Sequence, residues 1–183
     1  MDDRQSIHRM KNGDIGGLEE LVRRYQVKAV RAAFFVTHDR ALSEDIVQDT
    51  FIRLFDRIRH FDDARPFQPY LMRSVVNAAL NATRQDHKAV SLDDDPVQLE
   101  GLLEQAASVE SQVESHQLAI ELLHSLARLT PRQRAVIVQR YYLDLTEKEM
   151  AQVLDAAPGT IKWLLHQART RLRELLGSER GLE

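Results

Sequence analysis

The sequence predicts an all-α fold: two small helical domains joined by an acidic flexible linker, the C-terminal one carrying a helix-turn-helix. Three observations predict it. Glycine and proline are scarce, 7 and 5 among 183 residues, which disfavours a many-turned β fold. Apolar residues recur at three- and four-residue spacing in both halves of the chain. Charge is segregated: Ser91 to Glu121 holds eight acids (Asp93, Asp94, Asp95, Glu100, Glu104, Glu110, Glu114, Glu121) and no Lys or Arg, so a net charge of −3 leaves +5 for the remainder. That is two mildly basic lobes and a negative strap, and a block of one sign is typically a solvated segment.

The first domain spans residues 1–88. A short helix over Arg4 to Lys11 ends at Asn12-Gly13. Asp14 then caps a long helix to about Val36, with Leu18, Leu21, Val22, Tyr25, Ala29, Ala32 and Ala33 inward. After His38-Asp39-Arg40 a second long helix runs to about His60, and Val47, Phe51, Leu54 and Ile58 form one buried stripe on it. Phe61 to Pro69 holds two prolines and reads as a loop. A third long helix follows from about Pro69 to His87, with Leu71, Val75, Val76 and Leu80 inward.

The linker covers 89–115, and the second domain 116–177, ahead of a short tail, 178–183. Leu118, Leu122, Leu126 and Leu129 make the stripe of its first helix. Thr130-Pro131 is a cap followed by proline at the first helical position. That next helix ends near Tyr142. Thr146, with Glu149 three residues on, opens a short helix through a capping box. Ala156 and Ala157 turn the chain, and Pro158 starts the last helix. A short helix, a tight turn and a longer helix make a helix-turn-helix, whose second helix enters a DNA major groove. On that helix Ile161, Leu165, Ala168, Leu172 and Leu175 face the domain, and Lys162, His166, Arg169 and Arg173 form a basic stripe beside them. A basic helix alone is most often a solvated face; the helix and turn before it favour DNA.

Other functions are excluded or disfavoured. Without cysteine there is no disulfide, zinc-thiolate site or thiol chemistry. No apolar run approaches the roughly 18 residues that span a bilayer. The start, MDDRQSIHRM, lacks the basic-then-apolar form of a signal peptide. The seven histidines are scattered with no HExxH pair, Asp93-Asp94-Asp95 continues into no EF-hand, and no Gly-rich phosphate loop is present. The expectation is a cytoplasmic, non-enzymatic protein without metal or cofactor and without membrane insertion.

Three stretches resemble the extracytoplasmic-function (ECF) sigma factors of bacterial RNA polymerase: SEDIVQDTFIRLF (Ser43 to Phe55), the run Pro66 to Arg84 with Phe67, Leu71, Asn77 and Arg84 in register, and LTEKEMAQVLDAAPGTIKWLLHQARTRLREL (Leu145 to Leu175). The resemblance implies a factor that places core polymerase on promoters. It implies that the first domain grips the clamp helices of the largest polymerase subunit through Asp45, Gln48, Asp49 and Ile52, acids that suit a basic partner. It implies contact with a melted minus-ten element through Phe61, Asp63, Arg65, Phe67, Arg73, Asn77, Arg84 and Lys88. A single strand offers exposed stacking faces and edges to such a loop, but Phe61 and Phe67 fit core packing better on burial statistics. Tyr70 stands where the family usually has Trp, and Asn81 where an acid is common.

The second domain, by the same resemblance, reads a duplex minus-thirty-five element through Thr146, Thr160, Lys162, Trp163, His166, Arg169 and Arg173. Here the chain departs from the family, which usually has Ser-Arg-Leu after GTIK; this chain has Trp163-Leu164-Leu165, and Gln167 replaces a common Arg. Trp163 lies about 200° from Ile161 around the helix and is expected to be exposed, where it meets a thymine methyl, a sugar or a protein. The remaining partners implied are the polymerase flap and an anti-sigma factor, and the acidic linker suits either a basic polymerase channel or a plain tether. Two other functions stay open at this point: a helix-turn-helix regulator of duplex DNA, which leaves SEDIVQDTF unexplained, and a sigma-like decoy that binds an anti-sigma factor.

Overall fold

Local signals in the chain set the ends of most helices. The computed structural model describes residues 2–85 and 112–179, with side-chain surroundings defined up to Arg84 and from Leu118 to Gly177; Lys88 and the acidic linker lie outside the described residues. The chain falls into two compact units, Met1–Ala82 and Thr83–Glu183, and all regular structure among the described residues is helical.

In the first unit, α1 (Asp3–Lys11) opens on a capping box between Asp2 and Gln5. It stops at Asn12-Gly13, where Gly13 takes the left-handed φ of 81° and donates its N–H to the Met10 carbonyl at 2.9 Å. Asp14 Oδ1 accepts the Gly16 N–H at 2.9 Å ahead of α2 (Gly16–Thr37), whose cap position is Ile15, one residue past the expected Asp14. Asp39 Oδ1 accepts the Leu42 N–H at 2.9 Å at the head of α3 (Arg40–Arg57). The corner between α2 and α3 is locked by Thr37, whose Oγ1 accepts the Asp39 N–H at 3.1 Å and lies 2.8 Å from Ser43 Oγ. A 3₁₀ turn, Ile58–His60, closes α3. The next helix, α4 (Phe67–Gln85), starts two residues before the expected Pro69. Pro69 fits in its first turn because N–H groups there have no helical acceptor.

The core lies where α2 packs on α1 and α3. Leu21, Tyr25, Ala29, Ala32, Ala33 and Val36 of α2 are buried, the alanines allowing close approach, and Leu18 and Val22 are only half-buried. Val47, Phe51, Leu54 and Ile58 are buried together, as are Leu71, Val75, Val76 and Leu80 on α4. Asp3 ties α1 down further, accepting the Tyr25 hydroxyl at 2.6 Å and pairing with Arg24. Burial and that carboxylate push the Tyr25 phenol up to about 12. At Gly17 the backbones of α1 and α2 come close: a Cβ there would overlap the Ser6 carbonyl oxygen and sit 2.9 Å from Met10 Cγ. Gly17→Ala is therefore expected to cost about 1–3 kcal/mol through overpacking. It is read as a lower thermal midpoint with faster amide exchange in α1; an unchanged midpoint would show that α1 shifts without cost.

The second unit contains α5 (Gln112–Ala127), α6 (Pro131–Ile137), α7 (Glu147–Val153) and α8 (Pro158–Glu179). α8 packs on the other three. Thr130 with Gln133 and Thr146 with Glu149 form the capping boxes of α6 and α7. Two features differ from expectation. α6 runs on as a π turn, Val138–Tyr142, in which the Leu143 N–H reaches the Val138 carbonyl at 3.0 Å. And Leu118 and Leu122, expected inward, are 46% and 40% exposed. The buried line of α5 is Leu123 and Leu126, with Leu129 just beyond. One residue of phase, about 100° on a helix, separates the exposed Leu122 from the buried Leu123.

Arg134 is buried at the base of this unit, and its Nη1 donates to the Ala127 and Leu129 carbonyls at 3.2 and 3.0 Å. It thereby satisfies carbonyls that the end of α5 leaves without helical partners. Burial pushes the guanidinium down to about 10, which leaves it protonated at neutral pH.

Candidate nucleic-acid interface

The face of α3 opposite its buried stripe is one continuous row. Asp45, Gln48, Asp49 and Ile52 are all exposed, at i, i+3, i+4 and i+7. Asp56 extends the same row and is exposed too; the spacing alone was enough to find it. Asp49 meets Arg53 at 3.5 Å, an exposed i,i+4 pair that contributes little. Ile52, 49% exposed amid these polar groups, has no intramolecular reason to be apolar.

The loop after the 3₁₀ turn is held in one shape. Asp62 Oδ1 accepts the Ala64 N–H at 3.0 Å and its carbonyl accepts the Arg65 N–H at 3.0 Å. Lys11 reaches across from α1 to the Phe61 carbonyl at 2.8 Å and the Asp63 carboxylate at 2.7 Å. Arg65 is exposed beside Asp62. Phe61 and Phe67 are buried, edge to face with centroids 5.9 Å apart, and Phe67 lies 6.0 Å from Tyr25. They shape the loop from beneath. The ring of this cluster left partly accessible is Tyr70, 37% exposed and 5.0 Å from Phe61. It heads a row on α4 that continues through Arg73, Asn77, Asn81 and Arg84, of which Arg73 and Asn77 are half-buried and Asn81 and Arg84 exposed.

In the second unit the turn of the helix-turn-helix is Leu154 to Ala157, with Asp155 left-handed at φ 46° and the Ala156 N–H on the Ala151 carbonyl at 3.0 Å. The Ala157 carbonyl accepts from Thr160 and Ile161, so α8 is aimed from its first turn. Ile161, Leu164, Leu165, Ala168 and Leu175 are buried against the unit. Thr160, Lys162, Trp163, His166, Arg169 and Arg173 are all exposed. Thr146 is exposed as well, but its hydroxyl and N–H are engaged with Glu149 in the cap.

The stripe has two parts. Lys162 and His166 lie on the first turns. Arg169, whose Nε donates to the Leu165 carbonyl at 3.2 Å, and Arg173 edge a groove of about 580 Å³ lined by Leu122, Ile137, Tyr141, Leu172 and Leu176. The exposed leucine of α5 and the π turn thus build an apolar groove that helical periodicity gave no sign of. Among the described residues no group of three His, Asp or Glu is close enough to hold a metal ion, and no helix is long and apolar enough to cross a membrane.

Comparison with known proteins agrees with this layout. Sigma-70 region 2 matches residues 21–89 and Sigma-70, region 4 matches residues 119–172. The RNA polymerase sigma-E factor of Streptomyces avermitilis is 32% identical over 92% of this chain and 90% of its own. The ECF RNA polymerase sigma factor SigW of Bacillus subtilis is 28% identical over 94% of this chain and 96% of its own. In fold, the chain is similar to the sigma factor RpoE of Bartonella quintana, solved with the anti-sigma factor NepR, at a TM-score of 0.60 and 20% identity over 86% of this chain and 97% of that one. An exposed acidic row on α3, a pinned loop and a helix-turn-helix, in this order and with these relatives, make the chain a member of the ECF sigma factors, which direct core RNA polymerase to promoters and initiate transcription.

Proposed function

We propose that the two regions divide the work of initiation as follows. Residues 1–88 bind core polymerase and melt the minus-ten element; residues 116–177 read the minus-thirty-five element as duplex. The core contact is the row Asp45, Gln48, Asp49, Ile52 and Asp56, offered to the clamp helices of the largest subunit. The exposed isoleucine within an acidic row carries this reading, since an apolar centre with a charged rim is the anatomy of a protein interface. Tyr70 is the stacking platform for a displaced base, with Asp63, Arg65, Arg73, Asn77, Arg84 and Lys88 around the strand. The buried Phe61 and Phe67 act by holding the loop. Lys162 and His166 contact the upstream duplex, together with Thr160 and Trp163; Arg169 and Arg173 neutralise phosphates beyond them. Thr146 contributes by capping α7. The groove along α8 takes the polymerase flap. The protein is non-enzymatic and cytoplasmic. Its activity is controlled by an anti-sigma factor, a reading supported by the RpoE relative solved with one.

The test is reconstitution with core polymerase and promoter-dependent runoff transcription on the genome of origin. Discrete starts are expected. Core binding without any transcript would favour a decoy that titrates an anti-sigma factor, and absence of core binding would favour a plain DNA-binding regulator. In the same assay, Lys162→Ala with His166→Ala is expected to cut use of promoters bearing the upstream element about tenfold, because both side chains that meet the duplex from the first turns of α8 are removed. Equal activity on templates with and without that element would count against it.

A further inference from the structure

α8 carries a second exposed stripe. Thr160, Trp163, Gln167 and Thr170 recur at i, i+3, i+7 and i+10; the first three are exposed and Thr170 is half-buried. Around the helix, Ile161, Leu165 and Ala168 occupy the buried side, Lys162, His166, Arg169 and Arg173 one flank, and this neutral stripe the other. Trp163 is 60% exposed, a large apolar ring held in water at the front of a helix-turn-helix. Such a ring gains free energy once a partner covers it.

The major groove discriminates base pairs by chemistry. Arginine and lysine select guanine through O6 and N7, glutamine selects adenine through N6 and N7, and apolar groups select the C5-methyl of thymine. The neutral stripe has no arginine in its first turns. It has an indole and, one turn on, an amide. The two are separated by about 6 Å along the axis, close to two base-pair steps. The basic flank beside them supplies phosphate contacts that carry no sequence information.

We propose that α8 reads an A·T-rich duplex segment, with Trp163 packed on a thymine C5-methyl and Gln167 paired with an adenine within two base pairs of it. The Gln167 amide N–H donates to adenine N7 and its carbonyl accepts from the N6 amino group. With an indole and an amide on this stripe, and no arginine, the preferred partners are thymine and adenine rather than guanine. The inference rests on the assignment of α8 to the upstream element.

The test uses holoenzyme reconstituted from the full chain and core polymerase. Duplexes are selected from a pool randomised across the upstream block, and affinity is then measured with single replacements of thymine by deoxyuracil, which removes only the C5-methyl, and of adenine by 7-deazaadenine, which removes N7. One deoxyuracil position is expected to cost about four-fold, the worth of one buried methyl group. One deazaadenine position is expected to cost up to about tenfold. Trp163→Ala abolishes the first penalty and Gln167→Ala the second, while Trp163→Arg turns the selected base toward guanine. A G·C-rich selected block, or a deoxyuracil penalty that persists in Trp163→Ala, overturns the proposal while leaving upstream reading by α8 intact. Loss of core affinity in Trp163→Ala with base preference unchanged also overturns it, because the ring then docks protein. If wild-type holoenzyme is indifferent to the randomised block, the assignment of α8 itself fails and the proposal with it.

Discussion

Phe67→Ala is expected to destabilise the first unit by about 3–5 kcal/mol, a large part of the stability of a small domain. The ring is 2% exposed and is flanked by Phe61 at 5.9 Å and Tyr25 at 6.0 Å. Truncation loses the transfer free energy of the ring, leaves a cavity beneath the loop, and removes aromatic pairs worth roughly 0.5–1.5 kcal/mol each. The thermal midpoint should fall by well over 10 °C, at about 4–8 °C per kcal/mol for a domain of this size. Phe67→Leu keeps most of the volume and should lose far less. Promoter melting fails in Phe67→Ala only as the loop itself loosens, so activity and stability fall together. An unchanged midpoint with promoter opening abolished would instead make Phe67 a direct contact to the strand. Tyr70→Ala serves as the comparison. That ring is part exposed, so its loss should act on strand capture with little change in midpoint.

Gln48→Ala combined with Ile52→Asp is expected to weaken core polymerase binding by roughly 10- to 100-fold, the effect of removing two central residues of an interface. Both side chains are exposed on α3, and neither is part of the buried stripe of Val47, Phe51 and Leu54, so the fold is expected to be unchanged by circular dichroism and thermal melting. The measurement is competition against a second sigma factor for a limiting amount of core. Asp49→Ala added to the pair should weaken binding further and flatten its salt dependence, since a carboxylate facing a basic partner acts through screened charge. Undiminished competition by the double variant would remove this row from the interface and with it the docking assignment. The two experiments are independent: the first reads the packing beneath the loop, the second reads a surface that packing leaves open.

Much of the architecture was legible in the amino-acid order because it is local. Asp39, Thr130 and Thr146 announce helix starts through hydrogen bonds to the N–H three residues on, and the structure makes all three, whereas the cap of α2 falls on Ile15 rather than on Asp14. Val47–Phe51–Leu54–Ile58 and Ile161–Leu165–Ala168 declare their inner faces by period, and those residues are buried. The exposed rows of α3 and α8 follow as the complements of those stripes. The expected exposure of Trp163 followed from its angle to Ile161.

What the order of residues left undecided was which neighbour covers which face. On α5 two lines of leucine, one residue apart in phase, compete for the core; Leu123 and Leu126 are buried, whereas Leu118 and Leu122 stay exposed, Leu122 on the groove beside α8. Arg134 and Gln139 look like surface residues by type, yet both are buried. Arg134 is held by carbonyls five and seven positions earlier, at the end of the preceding helix. Gln139 lies in a π turn that periodicity cannot register. Whether Phe67 met solvent or core likewise depended on Tyr25, more than forty residues earlier. Period and capping are short-range and can be read from sequence; burial is a sum over partners brought together only by the folded chain.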